Sequence, residues 1–153
     1  SSDLLPERVH LGEIALAGWM TLVGADFGSE QKMKARFKAE GYGEADTDET
    51  LWTVRTLPRK RSQQEVWFCG RRMGGEWGGS HRYAFKMIPE GSYLRFTMDR
   101  GGHNLQAALR YLYHTFIPTS GLHLAEPLEI VQQGTALDLY LPIGDPNAEY
   151  DNR

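Results

Sequence analysis

Glu129 is the side chain whose surroundings could do chemistry. It sits in the strand-like run PLEIV among apolar neighbours. Strand side chains alternate between two faces, and a carboxylate on a face with large apolar groups is costly unless something pairs with it. Trp19, Trp52, Trp67, Phe85, Tyr111 and Phe116 fall within or beside the other predicted elements. Ring faces attract positive charge and a desolvated carboxylate supplies the counter-charge, so an acid walled by aromatics is the chemistry of a lipophilic-cation site. Two plainer roles stand beside that one. Aromatics build cores, and Glu129 is equally at home in a salt bridge or exposed at a sheet edge.

Other reactive types carry less. Cys69 lies in the apolar run VWFCG and reads as a small buried thiol, and a lone cysteine forms no intramolecular disulfide. His10, His81, His103, His114 and His123 include no pair at the spacing of metal ligands, so no metal site is expected. The acids Asp46, Asp48 and Glu49 lack the calcium-loop pattern and read as a solvated loop. No serine lies in a G-x-S-x-G elbow. The stretch GGEWGG does not lead from a strand into a helix, so it is no phosphate cradle; Trp77 within it is either a lid over a groove or a locally packed linker residue. Arg59-Lys60-Arg61 is a compact basic tip, read as a solvated turn.

The elements that must position Glu129 follow from periodicity. EIALAGWMTLV, Glu13–Val23, is rich in strand formers, with Gly18 marking a bend or bulge. Ser29 caps a thin helix over about Glu30–Glu40, with Met33 and Phe37 on one face. Leu51–Leu57 and Glu65–Gly70 are strands joined across the tip PRKRSQ. Tyr83–Ile88 is a short strand, Pro89-Glu90-Gly91 a turn, and Ser92–Met98 a strand with Leu94, Phe96 and Met98 alternating. Leu105, Ala108, Leu109, Leu112 and Phe116 lie along one helix face, with Pro118 ending the helix. Leu128–Val131 and Ala136–Leu141 close the fold, and residues 144–153 read as a frayed tail.

Both halves, about 9–73 and 83–143, therefore read strand–helix–strand–strand. Leu16 to Leu94 is an offset of 78, Trp52 to Glu129 of 77 and Val66 to Leu139 of 73. The expected fold class is α+β: one domain over 1–153, an antiparallel-rich sheet, and two helices on one face. The other face, or a groove at the pseudo-two-fold, is left to hold a ligand. The offset of 77 places Glu129 at the counterpart of Trp52.

A chain of 153 residues can bury a sizeable core without disulfides or metals. Its 17 Lys and Arg against 20 Asp and Glu give a net charge of −3, which lacks the electrostatic footprint of a nucleic-acid binder. No apolar stretch is long enough to span a bilayer, and the N-terminal residues do not form a signal peptide. A cytoplasmic location is the expectation. The first residue is not methionine, and the chain is expected to be one domain of something longer.

In order and spacing, IPEGSYLRFTM, the helix ending YLYHTFIPTSG, the strand PLEIV and the closing LDLYLPI resemble the GyrI-like small-molecule-binding domain. They are similar in particular to the C-terminal effector-binding domain of AraC-type regulators such as Rob, over about Arg8 to Ile143. The resemblance implies a ligand groove at the pseudo-two-fold and an acid in the penultimate strand that meets cationic ligands, a position that falls on Glu129. Trp52, Trp19, Trp67, Phe85, Tyr111, Phe116 and Val131 are the further candidate ligand-binding residues. Val131 stands where an aromatic is common, and Phe116 where tryptophan is, which leaves the ligand class open. The implied function is binding of amphipathic or cationic, multidrug-type effectors without a cofactor. DNA would be met only through a helix-turn-helix segment outside this sequence, and a second copy of the chain is a further candidate partner. Two alternatives stay open. One is a hydrolase of strained electrophiles with Glu129 as general base, and the other a gyrase-inhibitor-like modulator that binds protein.

Overall fold

The computed structural model describes residues 5–23, 28–39, 50–60, 64–73, 83–99 and 104–144. The acidic run 46–49, Arg61, Trp77 with its glycines and the tail 145–153 lie outside these, as do His81 and His103. Runs of β-branched and aromatic residues give β1 (Glu7–Leu11), β2 (Ile14–Val23), β3 (Leu51–Thr56), β4 (Glu65–Arg72), β5 (Ala84–Ile88) and β6 (Gly91–Met98). The short β7 (His123–Leu124), β8 (Leu128–Gln133) and β9 (Leu137–Gly144) follow. Helix α1 spans Gly28–Ala39, and the second helical segment is α2 (Leu105–Tyr111), a π-helical turn (Leu112–Phe116) and α3 (Ile117–Ser120).

The sheet is antiparallel throughout, in the order β1-β6-β9-β8-β3-β4-β2-β5, with β7 pairing the end of β9. This order is symmetric about the β8–β3 pair: β3 corresponds to β8, β4 to β9, β2 to β6 and β5 to β1. The duplication is therefore architectural, with one exchange. β1 pairs with β6 of the second half, and β5 with β2 of the first.

One short connection decides the sheet's shape. β5 and β6 stand six places apart in the order, yet only Pro89 and Glu90 join them. A flat sheet would separate them by about 29 Å at roughly 4.8 Å per strand, whereas so short a link spans about 10 Å. The sheet must curl until its ends meet. Tyr93 donates a hydrogen bond to the Pro89 carbonyl at 2.5 Å beside that junction, and burial pushes its phenol up to about 12, helped by the charge of Glu126.

The inside of the curl is apolar. Ile14, Leu16, Trp52, Val54, Phe68, Ile88, Tyr93, Leu128, Ile130 and Tyr140 pack there. On the helix-free face these side chains of the sheet pack against one another. Both helices lie on the outer face. Phe37 of α1 is fully buried with Leu51, Trp67 and Cys69, while Ala108 and Leu112 cover Phe96, Met98, Leu137, Leu139 and Leu141.

Three local expectations are corrected. Gly18 marks no bulge, because β2 runs in continuous register with both β4 and β5. It faces Gly70 across the β2–β4 pair, and a Cβ there would collide with the Cys69 carbonyl. The first strand in the chain is β1, ahead of the predicted start at Glu13; it is a half-exposed edge strand without a clean apolar alternation. Pro118 does not end the second helical segment. The Ile117 N–H bonds to the Leu112 carbonyl, five residues back, and this wider turn admits the proline at the start of α3. The helix stops at Gly121, whose φ is 78°.

Candidate functional site

At the centre of the sheet's outer face, between α1 and α2, lies a cleft of about 510 Å³. Its floor is the symmetric strand pair: Thr53 and Arg55 of β3, and Glu129, Val131 and Gln133 of β8. Trp67 and Glu65 of β4 and Leu137 and Leu139 of β9 extend the floor on either side. Gln31 and Lys34 come from one helix wall, and Leu105, Leu109, Arg110, Tyr113 and His114 from the other. The place is dictated by the fold. Each helix covers its own half of the sheet, so the seam between the halves stays open above.

Register fixes which side chains meet. Glu129 faces Arg55 across the β3–β8 pair, and Val131 faces Thr53. Trp52 pairs with Gln132 and points to the other side, into the curl. Glu129 is therefore not the counterpart of Trp52: on the Trp52 side, β8 presents Leu128 and Ile130. Trp52 instead stacks on Tyr140 at 6.4 Å, with its indole N–H buried and lacking a hydrogen-bond partner.

The Glu129 side chain is only 13% exposed. Its Oε2 accepts a hydrogen bond from the Tyr113 hydroxyl at 2.7 Å. Its Oε1 lies 4.0 Å from Arg55 Nε, while Arg55 Nη1 donates to Glu65 Oε1 at 3.0 Å. Burial, then hydrogen bonding to the Glu129 carboxylate, raises the Tyr113 phenol well above its ordinary range. Tyr113 is thus a neutral donor at any physiological pH, fixed on one carboxylate oxygen. The cleft joins two acids, Glu65 and Glu129, to three basic side chains, Lys34, Arg55 and Arg110.

Of the candidate residues, Glu129, Trp67 and Val131 line this cleft. Trp19 packs edge-on to Phe37 at 5.6 Å with Arg36 over its ring, beneath α1. Phe85 stands exposed on the edge strand β5. Tyr111 and Phe116 contact each other at 6.2 Å; Tyr111 borders a shallow surface depression on α2, and Phe116 packs on the core beneath that helix. Arg55 and Glu65 escaped the sequence reading, and Tyr113, one of the aromatics beside the predicted helix, was not among the candidate ligand-binding residues. The only available signal was that Arg55 alternates with Leu51 and Thr53, on the face opposite Trp52. Among the described residues, no group of three or more His, Cys, Asp or Glu could hold a metal ion, and no helix is long and apolar enough to cross a membrane.

No protein-family model matches the chain, and no curated protein matches it by sequence. Solved structures do match. SAV2435 bound to tetraphenylphosphonium superposes with a TM-score of 0.65 at 9% identity, covering 98% of this chain and 100% of that one. The EcmrR C-terminal domain gives 0.64 at 14% identity over 94% and 99%; in an EcmrR–DNA complex, the match takes in 57% of the EcmrR chain. A hydrolase encoded by lin2189 from Listeria innocua gives 0.55 at 15% identity over 91% of both chains. The chain adopts the GyrI-like fold that was expected, a curled antiparallel sheet with both helices on one face.

Proposed function

We propose that this chain is a small-molecule-binding effector domain, taking amphipathic ligands, organic cations foremost, in the cleft between α1 and α2. One observation carries the reading: a nearly buried carboxylate, Glu129, sits on the cleft floor with one oxygen held by Tyr113 and the other only distantly approached by Arg55. Trp67, Val131, Leu109 and Leu139 supply apolar surface around it, and the cleft volume suits a drug-sized molecule. A ligand cation there gains a desolvated counter-charge and a ring face together. SAV2435, of the same fold, binds tetraphenylphosphonium.

The finer reading is that the domain is the sensing part of a transcription regulator. EcmrR, which has a domain of this fold, is found in a complex with DNA. The net charge of −3 suits a domain that leaves DNA contact to another segment. Ligand binding would then act by differential affinity for two states of the whole regulator.

Equilibrium dialysis against tetraphenylphosphonium and tetraphenylborate tests the reading, because the two share size and shape and differ in charge. Uptake of the cation at micromolar concentration with no uptake of the borate is the expected result. Equal uptake of both would show a merely greasy cleft. Water activation by Glu129, as a hydrolase would need, is less well served. Tyr113 already donates to one of its two oxygens, and among the described residues no second acid lines the cleft within reach of the same water except Glu65, which Arg55 holds.

A further inference from the structure

Arg55 reaches from β3 across the cleft floor to both acids of the site. Its guanidinium makes a short hydrogen bond to Glu65 at 3.0 Å and only a long approach to Glu129 at 4.0 Å. The carboxylate that would receive a ligand's positive charge is therefore already faced by a resident cation. That cation has a second acid to rest on. Its side chain is 33% exposed, so it has room to move within the cleft, and an arginine stem is long and flexible enough to shift between neighbouring acids.

This sharing sets the field at Glu129. With Arg55 on Glu65, the Glu129 carboxylate keeps only a 4.0 Å approach to a cation. With Arg55 drawn onto Glu129, the resident guanidinium already matches the charge that a ligand cation would seek. We propose that Arg55 is the specificity-determining residue of this cleft: an internal competitor that ligand cations must keep off Glu129, with Glu65 as its alternative seat. The inference rests on the cation-binding reading above and goes beyond it. It assigns Glu65 the task of sequestering Arg55 and makes Arg55 an obstacle to binding.

Calorimetric titration with tetraphenylphosphonium on wild type, Arg55→Met, Glu65→Gln and the double variant tests this, with a thermal melt of each to confirm folding. Removing the competitor should tighten cation binding about tenfold, the effect of one partly screened charge. Glu65→Gln should weaken binding several-fold, because the guanidinium then falls onto Glu129. The double variant should bind like Arg55→Met, since Glu65 has nothing left to sequester. Should Arg55→Met fail to fold, Arg55→Gln makes the same comparison. Equal or weaker binding by the Arg55 variants overturns the inference, as does a double variant as weak as Glu65→Gln. If wild type binds the cation and the Arg55 variants bind it no better, the cation-binding reading survives alone. If no variant binds it, both fail.

Discussion

Replacing Tyr113 by phenylalanine removes one oxygen and leaves the packing of α2 on the sheet in place. The lost group donates to a carboxylate at 2.7 Å, and that carboxylate is only 13% exposed. A hydrogen bond to a charged group contributes about 1.5–3 kcal/mol. Glu129 keeps Arg55 4.0 Å away and some solvent access, so part of the loss is recovered. We expect Tyr113→Phe to destabilise the protein by about 1–2 kcal/mol, which for a chain of this size lowers Tm by roughly 3–6 °C. The sign of the pH dependence follows from the raised phenol. The unfolded tyrosine ionises near its ordinary 10.0 while the folded one stays protonated. Stability from Tyr113 is therefore complete below pH 10 and is lost progressively as the pH rises above it. Denaturant titrations across that range on wild type and Tyr113→Phe measure both effects. The variant should be the less stable protein at neutral pH and should show the shallower alkaline decline. A change under about 0.5 kcal/mol with an unaltered alkaline slope would refute the claim that Tyr113 holds Glu129.

Three further outcomes are expected. Gly18→Ala drives a methyl into the backbone of Cys69 and Gly70, which cannot step aside as a side chain could. A loss of about 3 kcal/mol or more is expected by denaturant titration, and a loss under 1 kcal/mol would contradict the close approach. Phe37→Ala removes the fully buried anchor of α1 and should cost about 3–4 kcal/mol. Hydrogen exchange should then quicken first in 31–37, and uniform quickening would argue against a locally anchored helix. In a Trp77→Phe background, Trp67→Phe should abolish most of any ligand-induced change in fluorescence, because Trp67 lines the cleft while Trp19 and Trp52 do not; an unchanged signal would place the ligand elsewhere.

Most strands and the amphipathic face of α2 were legible because they are written locally, in β-branched runs and in the spacing of Leu105, Ala108, Leu109 and Leu112. The duplication was legible as an order of elements. The curl was not read, because it depends on where β5 and β6 sit in the sheet rather than on the short turn between them. β1 was hidden by its exposure at an edge, which removes the apolar alternation that marks inner strands. Pro118 misled because the rule that proline ends a helix assumes α geometry, and the preceding turn is wider. At the site, a carboxylate within an apolar strand marked Glu129, and the resemblance to the GyrI-like domain singled out its position. Its neighbours Arg55, Glu65 and Tyr113 come from three other elements. Their meeting is set by cross-strand register and helix docking, which one sequence does not spell out. Trp52 and Glu129 take opposite faces because the β3–β8 register sets Trp52 against Gln132, and an offset counted through intervening helices and loops does not fix the face of a strand residue.

The central claim is that Glu129 supplies the counter-charge for a bound cation. Tryptophan fluorescence titrated with tetraphenylphosphonium, on wild type and Glu129→Gln, tests it most directly. Saturable binding to wild type and affinity about tenfold or more lower in the variant are expected, the effect of losing a partly buried countercharge. Identical affinity in the two proteins, or no binding to wild type, would contradict it and leave Glu129 a structural acid paired with Tyr113.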